Sequence, residues 1–135
     1  MSVSTENFLK TVYHLQSEAG VEAKPGVVAA RLGISNAAAT DMMRKLAAKQ
    51  LIHYQKYQPV TLTEAGMRRA LQVVRKHRLW ELFLHRSLGL SLRQVHNEAE
   101  MLEHQTSDFL TEKLAEFLGQ PKYDPHGEPI PDASG

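Results

Sequence analysis

Residues 25–48 read PGVVAARLGISNAAATDMMRKLAA, and this stretch decides the fold. Pro25 suits the first turn of a helix, where its missing N–H would have had no intrahelical partner, and Gly33 suits the stop. Ser35 can cap a second helix beginning at Asn36, its hydroxyl accepting from an amide of the first turn. Helix, tight glycine turn, helix is the pattern that lays a recognition helix in the major groove of DNA.

On the C-terminal side, LIHYQKYQPVTLT (51–63) is rich in β-branched and aromatic residues and broken at Gln58-Pro59. It predicts two short strands joined by a turn, the wing of a winged helix-turn-helix. Upstream, Phe8, Leu9, Val12, Tyr13 and Leu15 recur at helical spacing and predict a helix from Thr5 to about Ala19, capped by Ser4 or Thr5. Downstream, Thr63 caps a long fourth helix that Gly89 ends, Ser91 caps a fifth, and Ser107 or Asp108 starts a sixth. The proline-rich residues 120–135 predict an irregular tail. The expected fold class is all-α with a small β-hairpin. It comprises a winged helix-turn-helix DNA-binding domain (1–72), a helical metal-binding and dimerisation domain (73–119) and the tail (120–135).

Composition narrows the chemistry. At 135 residues and 42% hydrophobic the chain can bury a core, and no apolar run approaches the ~20 residues that span a bilayer. The start, MSVSTENFLK, lacks the basic-then-apolar profile of a secretion signal, so a cytoplasmic location is expected. With no cysteine, a metal must be held by imidazole, carboxylate or amide oxygen. Net charge is only +1, but residues 31–76 hold nine Lys or Arg against two acids, a balance of +7 that leaves −6 elsewhere. Two solvated faces of opposite sign is the plainer reading of that split; a nucleic-acid-binding lobe joined to an acidic lobe is the sharper one.

In the recognition helix, Ala37, Ala38 and Ala39 allow close approach and can meet thymine methyls. Ser35 caps it, and Asn36, Thr40 and Asp41 are its polar groups near base edges. Arg44, Lys45 and the wing residue Lys56 are expected on phosphates, which position the protein without specifying sequence. An Ala-rich helix is also simply a good helix, and a three-helix lobe can serve protein contacts alone.

The acidic lobe contains HNEAEMLEH (96–104). At about 100° per residue His96, Glu100, Glu103 and His104 fall near 0°, 40°, 340° and 80°, on one face with no cation among them. The fourth helix adds His77 and Glu81 at i,i+4, making six potential ligands on two consecutive helices. An acid-rich surface with incidental histidines would not need six groups in phase. ELFLH and EMLEH reproduce neither HExxH nor HxxEH, so no catalytic residues are assigned and an enzyme is not expected.

These residues carry a resemblance. STENFLKTVYHL (4–15), the winged helix, RKHRLWE (75–81), VHNEAEMLEHQTSD (95–108) and DPHGEPIP (124–131) make the chain similar to the diphtheria-toxin-repressor family of metal-dependent transcription regulators, including its manganese transport regulator branch. The resemblance implies that His77, Glu81 and His96 form one metal site and Glu100, Glu103 and His104 an adjacent one. Glu100, where iron-responsive members place a sulfur ligand, matches the manganese branch. A ligand from the first helix is also implied; Asn7 occupies that position with Glu6 beside it, and Lys10 stands where the manganese branch has a second acid. The implied co-repressor is Mn²⁺ or Fe²⁺, with Zn²⁺, Co²⁺ or Ni²⁺ able to bind in vitro. The implied partners are double-stranded operator DNA and a second copy of the chain, without a membrane or small organic substrate. Leu79, Trp80, Phe83, Leu92, Val95, Leu110, Leu114 and Phe117 are candidates for the dimer surface, some of them belonging to the core instead. The alternative function is a metal-independent winged-helix regulator responding to an organic ligand or a protein partner.

Overall fold

The anticipated caps and breakers recur in the computed structural model, which describes residues 2–134. Six α-helices and two strands follow in order: α1 (Val3–Tyr13), α2 (Pro25–Leu32), α3 (Asn36–Ala48), β1 (Ile52–His53), β2 (Thr61–Leu62), α4 (Glu64–Leu88), α5 (Leu92–Leu102) and α6 (Asp108–Phe117). The chain divides into two units between Leu71 and Gln72, within the span of α4.

In the first unit α1 begins earlier than its sequence suggested. Ser2, rather than Ser4 or Thr5, is the N-cap, its hydroxyl accepting from the Thr5 amide at 3.1 Å. The helix also does not run uniformly to Ala19. It widens into a π-helical turn at His14–Glu18, and Val21 N–H reaches back to Leu15 O at 2.7 Å. The widened turn carries Gln16, whose amide donates to Val60 O at 2.7 Å and ties α1 to the base of the wing.

Between α2 and α3 the turn is set by backbone conformation. Gly33 has φ +66, and the Ile34 amide bonds Ala29 O at 3.1 Å, closing α2 in a left-handed cap. Ser35 then accepts from the Ala38 amide at 3.0 Å and starts α3. The wing pairs Ile52 with Leu62 and His53 with Thr61, and Val60 bridges to Ala23 as a third edge. Thr63 caps α4 by accepting from the Gly66 amide at 3.0 Å. Gly66 has to be glycine, because a Cβ there would stand 1.9 Å from the Leu51 carbonyl oxygen. Phe8, Leu9, Val12, Leu15, Val28, Met43 and Leu46 are fully buried in the core of this unit.

In the second unit Leu79 and Leu82 of α4 pack with Leu114, Ala115 and Leu118, with Trp80, Phe83 and Ile130 against them. Ser91 and Gln94 form a reciprocal capping box on α5, and Ser107 caps α6. Residues 120–134, expected as an irregular tail, contain neither helix nor strand, yet they fold back and pack within this unit. Arg75 donates to Pro131 O at 2.8 Å, and Arg78 donates to Pro129 O at 2.7 Å and to the Glu128 carboxylate at 2.8 Å. Among the described residues no helix is long and apolar enough to cross a membrane.

Candidate metal centre and nucleic-acid interface

α4, α5 and the turn after α5 bring their acids and imidazoles together, with His77, Glu81 and Glu103 buried, Glu100 and His104 half-buried and His96 exposed. His77 is 8% exposed; its Nδ1 lies 2.6 Å from Glu103 Oε1 and 3.8 Å from Glu100 Oε1, and its Nε2 lies 3.3 Å from Glu81 Oε1. His96 sits 3.5 Å from Glu100 and 3.8 Å from Glu81. His104 Nε2 is 3.5 Å from the far oxygen of Glu103. All six residues expected on α4 and α5 therefore connect through contacts within 4 Å. Glu103 and His104 do so from beyond the helix, because α5 ends at Leu102 and Glu103 is its cap. Donor atoms of His77, His96 and Glu100 lie within 4.8 Å of one another, close enough to share one ion.

A second such group includes residues that helical phase could not find. Glu81, Asp124 and His126 also bring donor atoms within 4.8 Å of one another, with His126 Nδ1 3.5 Å from Glu81 and 3.7 Å from Asp124. The turn of the tail sets this up. Asp124 Oδ1 accepts from the amides of His126 at 2.9 Å and Glu128 at 2.8 Å, which leaves Oδ2 buried without a hydrogen-bond partner. The motif DPHGEPIP was visible in the sequence, but a proline-rich turn has no periodicity to show where its acid and histidine point. Only the fold-back onto α4 brings them to Glu81.

Electrostatics follow from burial. Burial alone would suppress charge on His77, but the facing Glu103 and Glu81 carboxylates outweigh it and raise the imidazole pKa to about 9. Burial likewise opposes charge on Glu81, yet its bond to His77 holds its pKa below the usual carboxylate value. Asp124 is pushed up by burial, which the Glu128 amide only partly offsets, and by the charge of Glu81. The His77 imidazolium therefore supplies positive charge among these carboxylates where a divalent cation would, and the oxygen-and-nitrogen donor set, with a buried carboxylate oxygen that has no hydrogen-bond partner, fits a hard cation such as Mn²⁺ or Fe²⁺. Glu6 and Asn7, the first-helix candidates, are half-buried on α1 in the first unit.

On α3, Asn36, Ala37, Ala38, Asp41, Arg44 and Lys45 are exposed and Thr40 is half-buried. Ala39, expected at the groove, is instead fully buried with Met43 and Leu46, the inward stripe at i, i+4 and i+7. Ser35 uses its hydroxyl on the helix cap. Asp41 pairs with Lys45 at 3.0 Å, which masks the one acid on this face. Lys56 is exposed on the wing turn, and a hollow of about 710 Å³ between α3 and the wing is lined by Thr40, Arg44 and Lys56 together with Lys24 and Tyr54.

Of the proposed dimer residues, Leu79, Val95 and Leu114 belong to the core, being 6% exposed or less. Leu92, Leu110 and Phe117 are exposed, and Phe109 and Met101 join them as large apolar side chains facing outward.

Comparison with known proteins agrees across both units. Residues 1–60 match the iron dependent repressor N-terminal DNA binding domain, and residues 63–132 match the iron dependent repressor metal binding and dimerisation domain. The diphtheria toxin repressor of Corynebacterium glutamicum is 34% identical over 128 residues, which are 95% of this chain and 56% of that protein. An uncharacterized HTH-type transcriptional regulator of Methanocaldococcus jannaschii is 35% identical over 118 residues, 87% of this chain and 94% of that one. A manganese-dependent transcriptional repressor in complex with manganese superposes with a TM-score of 0.89 at 41% identity, covering 97% of this chain and 60% of its own. ScaR with bound Zn²⁺ gives 0.85 at 37% identity, covering 96% and 60%. The chain thus spans little more than half the length of the diphtheria toxin repressor it matches. With both domains matched in order and a relative aligned over nearly its whole length, the chain belongs to the iron dependent repressor family.

Proposed function

We propose that the protein is a DNA-binding transcriptional repressor of metal-uptake genes, activated by Mn²⁺ or Fe²⁺, that binds operator DNA in the cytoplasm as a homodimer. The observation that carries this reading is the convergence of Glu81, Glu100, Glu103 and Asp124 on His77, His96, His104 and His126, with His77, Glu81, Glu103 and Asp124 buried. Carboxylates buried together repel unless a proton or a cation stands between them. A metal-independent regulator would carry this liability without using it.

His77, His96 and Glu100 would hold one ion, with Glu103 and His104 adjoining, and Glu81, Asp124 and His126 would hold a second. The bound cation supplies positive charge that lets residues from α4, α5 and the tail turn remain close as anions and neutral imidazoles. To receive it His77 gives up its proton, and Arg75 and Arg78 keep the tail turn seated on α4. Such ordering of the second unit steadies the outward apolar residues of α5 and α6 for a partner copy. The dimer then fixes the spacing of two α3 helices on successive turns of the groove. Coupling of ~1–3 kcal/mol would raise DNA affinity about 5–150-fold.

The test uses a duplex recovered by selection from a random-sequence pool with Mn²⁺-loaded protein. Affinity for that duplex is measured in chelator and in excess Mn²⁺ or, anaerobically, Fe²⁺. A rise of at least fivefold is expected, and equal affinities would remove the co-repressor reading. Calorimetry of Glu6→Ala and Asn7→Ala decides whether α1 contributes a donor.

A further inference from the structure

An acid stands at the middle of the face that α3 turns outward. With Asn36 at 0° and a step of about 100° per residue, the buried stripe of Ala39, Met43 and Leu46 falls between roughly 280° and 340°, and the line opposite it lies near about 130°. Asp41, at about 140°, is within roughly 15° of that line. One turn earlier are Ala37 and Ala38, exposed and without atoms beyond Cβ, so the Asp41 carboxylate has an open approach to whatever this face meets. Local structure does not call for it. Asp is a weaker helix former than Lys, Glu or Ala, and the pair it makes with Lys45 joins side chains 65% and 71% exposed, where an ion pair contributes little. Glu64, the other acid among the nine cations of residues 31–76, lies in the first turn of α4, where the helix dipole favours it; Asp41 is the sixth residue of its helix and has no such reason.

The flanks of α3 indicate what the acid faces. On one side Arg44 lines the hollow towards the wing. On the other, Lys45 and Lys49 line a hollow towards the start of α1, which Asp41 borders together with Ser2 and Thr5. Cations on both flanks suit the two sugar-phosphate strands that border a major groove, and the centre between them is where base edges lie. A carboxylate is repelled by either strand and is best tolerated midway. Ionised, it can only accept hydrogen bonds. Guanine presents N7 and O6 in the major groove and thymine presents O4, all acceptors; adenine sets its amino group beside the acceptor N7; cytosine alone presents a donor, its N4 amino group, with no acceptor of its own.

We propose, resting on the DNA-binding reading above, that Asp41 is a specificity-determining residue that accepts a hydrogen bond from the N4 amino group of a cytosine in each operator half-site. Lys45 holds the carboxylate in place and shields it from phosphate. The half-site then carries a fixed C·G pair under the centre of α3. Guanine or thymine in place of that cytosine turns an acceptor towards an acceptor, so Asp41 selects as much by rejecting the wrong base as by binding the right one.

Selection from a random-sequence pool with Mn²⁺-loaded wild type, Asp41→Ala and Asp41→Asn tests this, followed by affinities for the wild-type duplex altered at one base pair. One alteration replaces the fixed C·G pair by T·A; another replaces the cytosine by 2-pyrimidinone, which lacks only the amino group. Wild type is expected to bind the T·A duplex about 5–150-fold more weakly and the 2-pyrimidinone duplex about fivefold to thirtyfold more weakly. Asp41→Ala should bind all three within about threefold of one another, because it has no acceptor to lose. Asp41→Asn should accept adenine at that position, since an amide pairs with adenine N6 and N7. Both variants should melt close to wild type, as the side chain is exposed. Three results would overturn the proposal while leaving the DNA-binding reading in place: a wild-type consensus without a fixed C·G pair, an Asp41→Ala consensus as strict as that of wild type at every position, or a 2-pyrimidinone loss that persists in Asp41→Ala. A gain in Asp41→Ala affinity that is uniform across all duplexes, with base preference unchanged, would do the same, since the carboxylate would then act on phosphate alone. Failure of wild type to recover any duplex would remove both readings.

Discussion

The two units of this chain are built on opposite principles. The first has a core of aliphatic and aromatic side chains, with Thr5 and Lys10 its buried polar residues among those described. The second has a smaller apolar cluster and buries Arg75, His77, Arg78, Glu81, Glu103, Thr106, Thr111 and Asp124. Hydrophobic burial is indifferent to ions, whereas a buried charge network is only as stable as its pairing. Arg75 Nε and Asp124 Oδ2, the two buried side-chain atoms without a hydrogen-bond partner among the described residues, are both in the second unit. On the proposed metal-dependent reading, the first unit should stay folded in any metal condition and the second should change with it.

The sharpest way to break that contrast is to damage the apolar core and offer metal as a cure. Phe8→Ala empties a fully buried site and is expected to cost about 3–5 kcal/mol in denaturant unfolding. Added Mn²⁺ should stabilise this variant by no more than it stabilises wild type. Preferential rescue by metal would mean that the first unit is not indifferent to ions.

Glu81→Ala comes next. Glu81 faces His77, His96 and His126, so its loss should lower Mn²⁺ affinity by at least the 10–100-fold that even an outer partner of a metal ligand costs. Apo stability should fall less than in Phe8→Ala, since removing this carboxylate also relieves Asp124. Titration calorimetry reads the first effect and denaturation the second; an unchanged affinity would break the assignment of the metal centre.

The pH response sharpens the same contrast. His77 rises from an ordinary 6.5 to about 9, so its contribution to apo stability is fully present below pH 6.5 and is lost as pH climbs towards 9. Metal affinity should move the opposite way, rising by about tenfold per pH unit between 7 and 9 as the competing proton leaves. Calorimetry in two buffers of different ionisation heat counts the released proton. A flat affinity across that range would mean that His77 binds no metal.

Much of this architecture is legible in the order of the residues. Pro25, Gly33, Ser35, Thr63, Gly89, Ser91 and Ser107 act locally, through φ or a single cap, and they place helix ends within a residue or two. Helical phase likewise groups His77 with Glu81 on α4 and His96 with Glu100 on α5, because groups on one face of a regular helix stay together wherever that helix packs, whereas Glu103 and His104 join them from just past the end of α5. Phase does not separate Ala39 from Ala37 and Ala38, since three consecutive alanines have no polarity contrast to show which one turns inward. Nor does it separate Leu79 and Val95, which are core, from Leu92 and Phe117, which face out.

Local chemistry by itself determined where the helices after α1 start, which residues share a face, and that an acidic lobe without cysteine would favour oxygen and nitrogen donors. Tertiary structure alone decided that Asp124 and His126 meet Glu81 and that Ala39 is the alanine of α3 that turns inward. The reason is that periodic segments carry their geometry within themselves, while turns borrow theirs from what they fold against. Arg75 and Arg78 hold the tail turn on α4 across about 50 residues of chain, a separation over which no local preference acts.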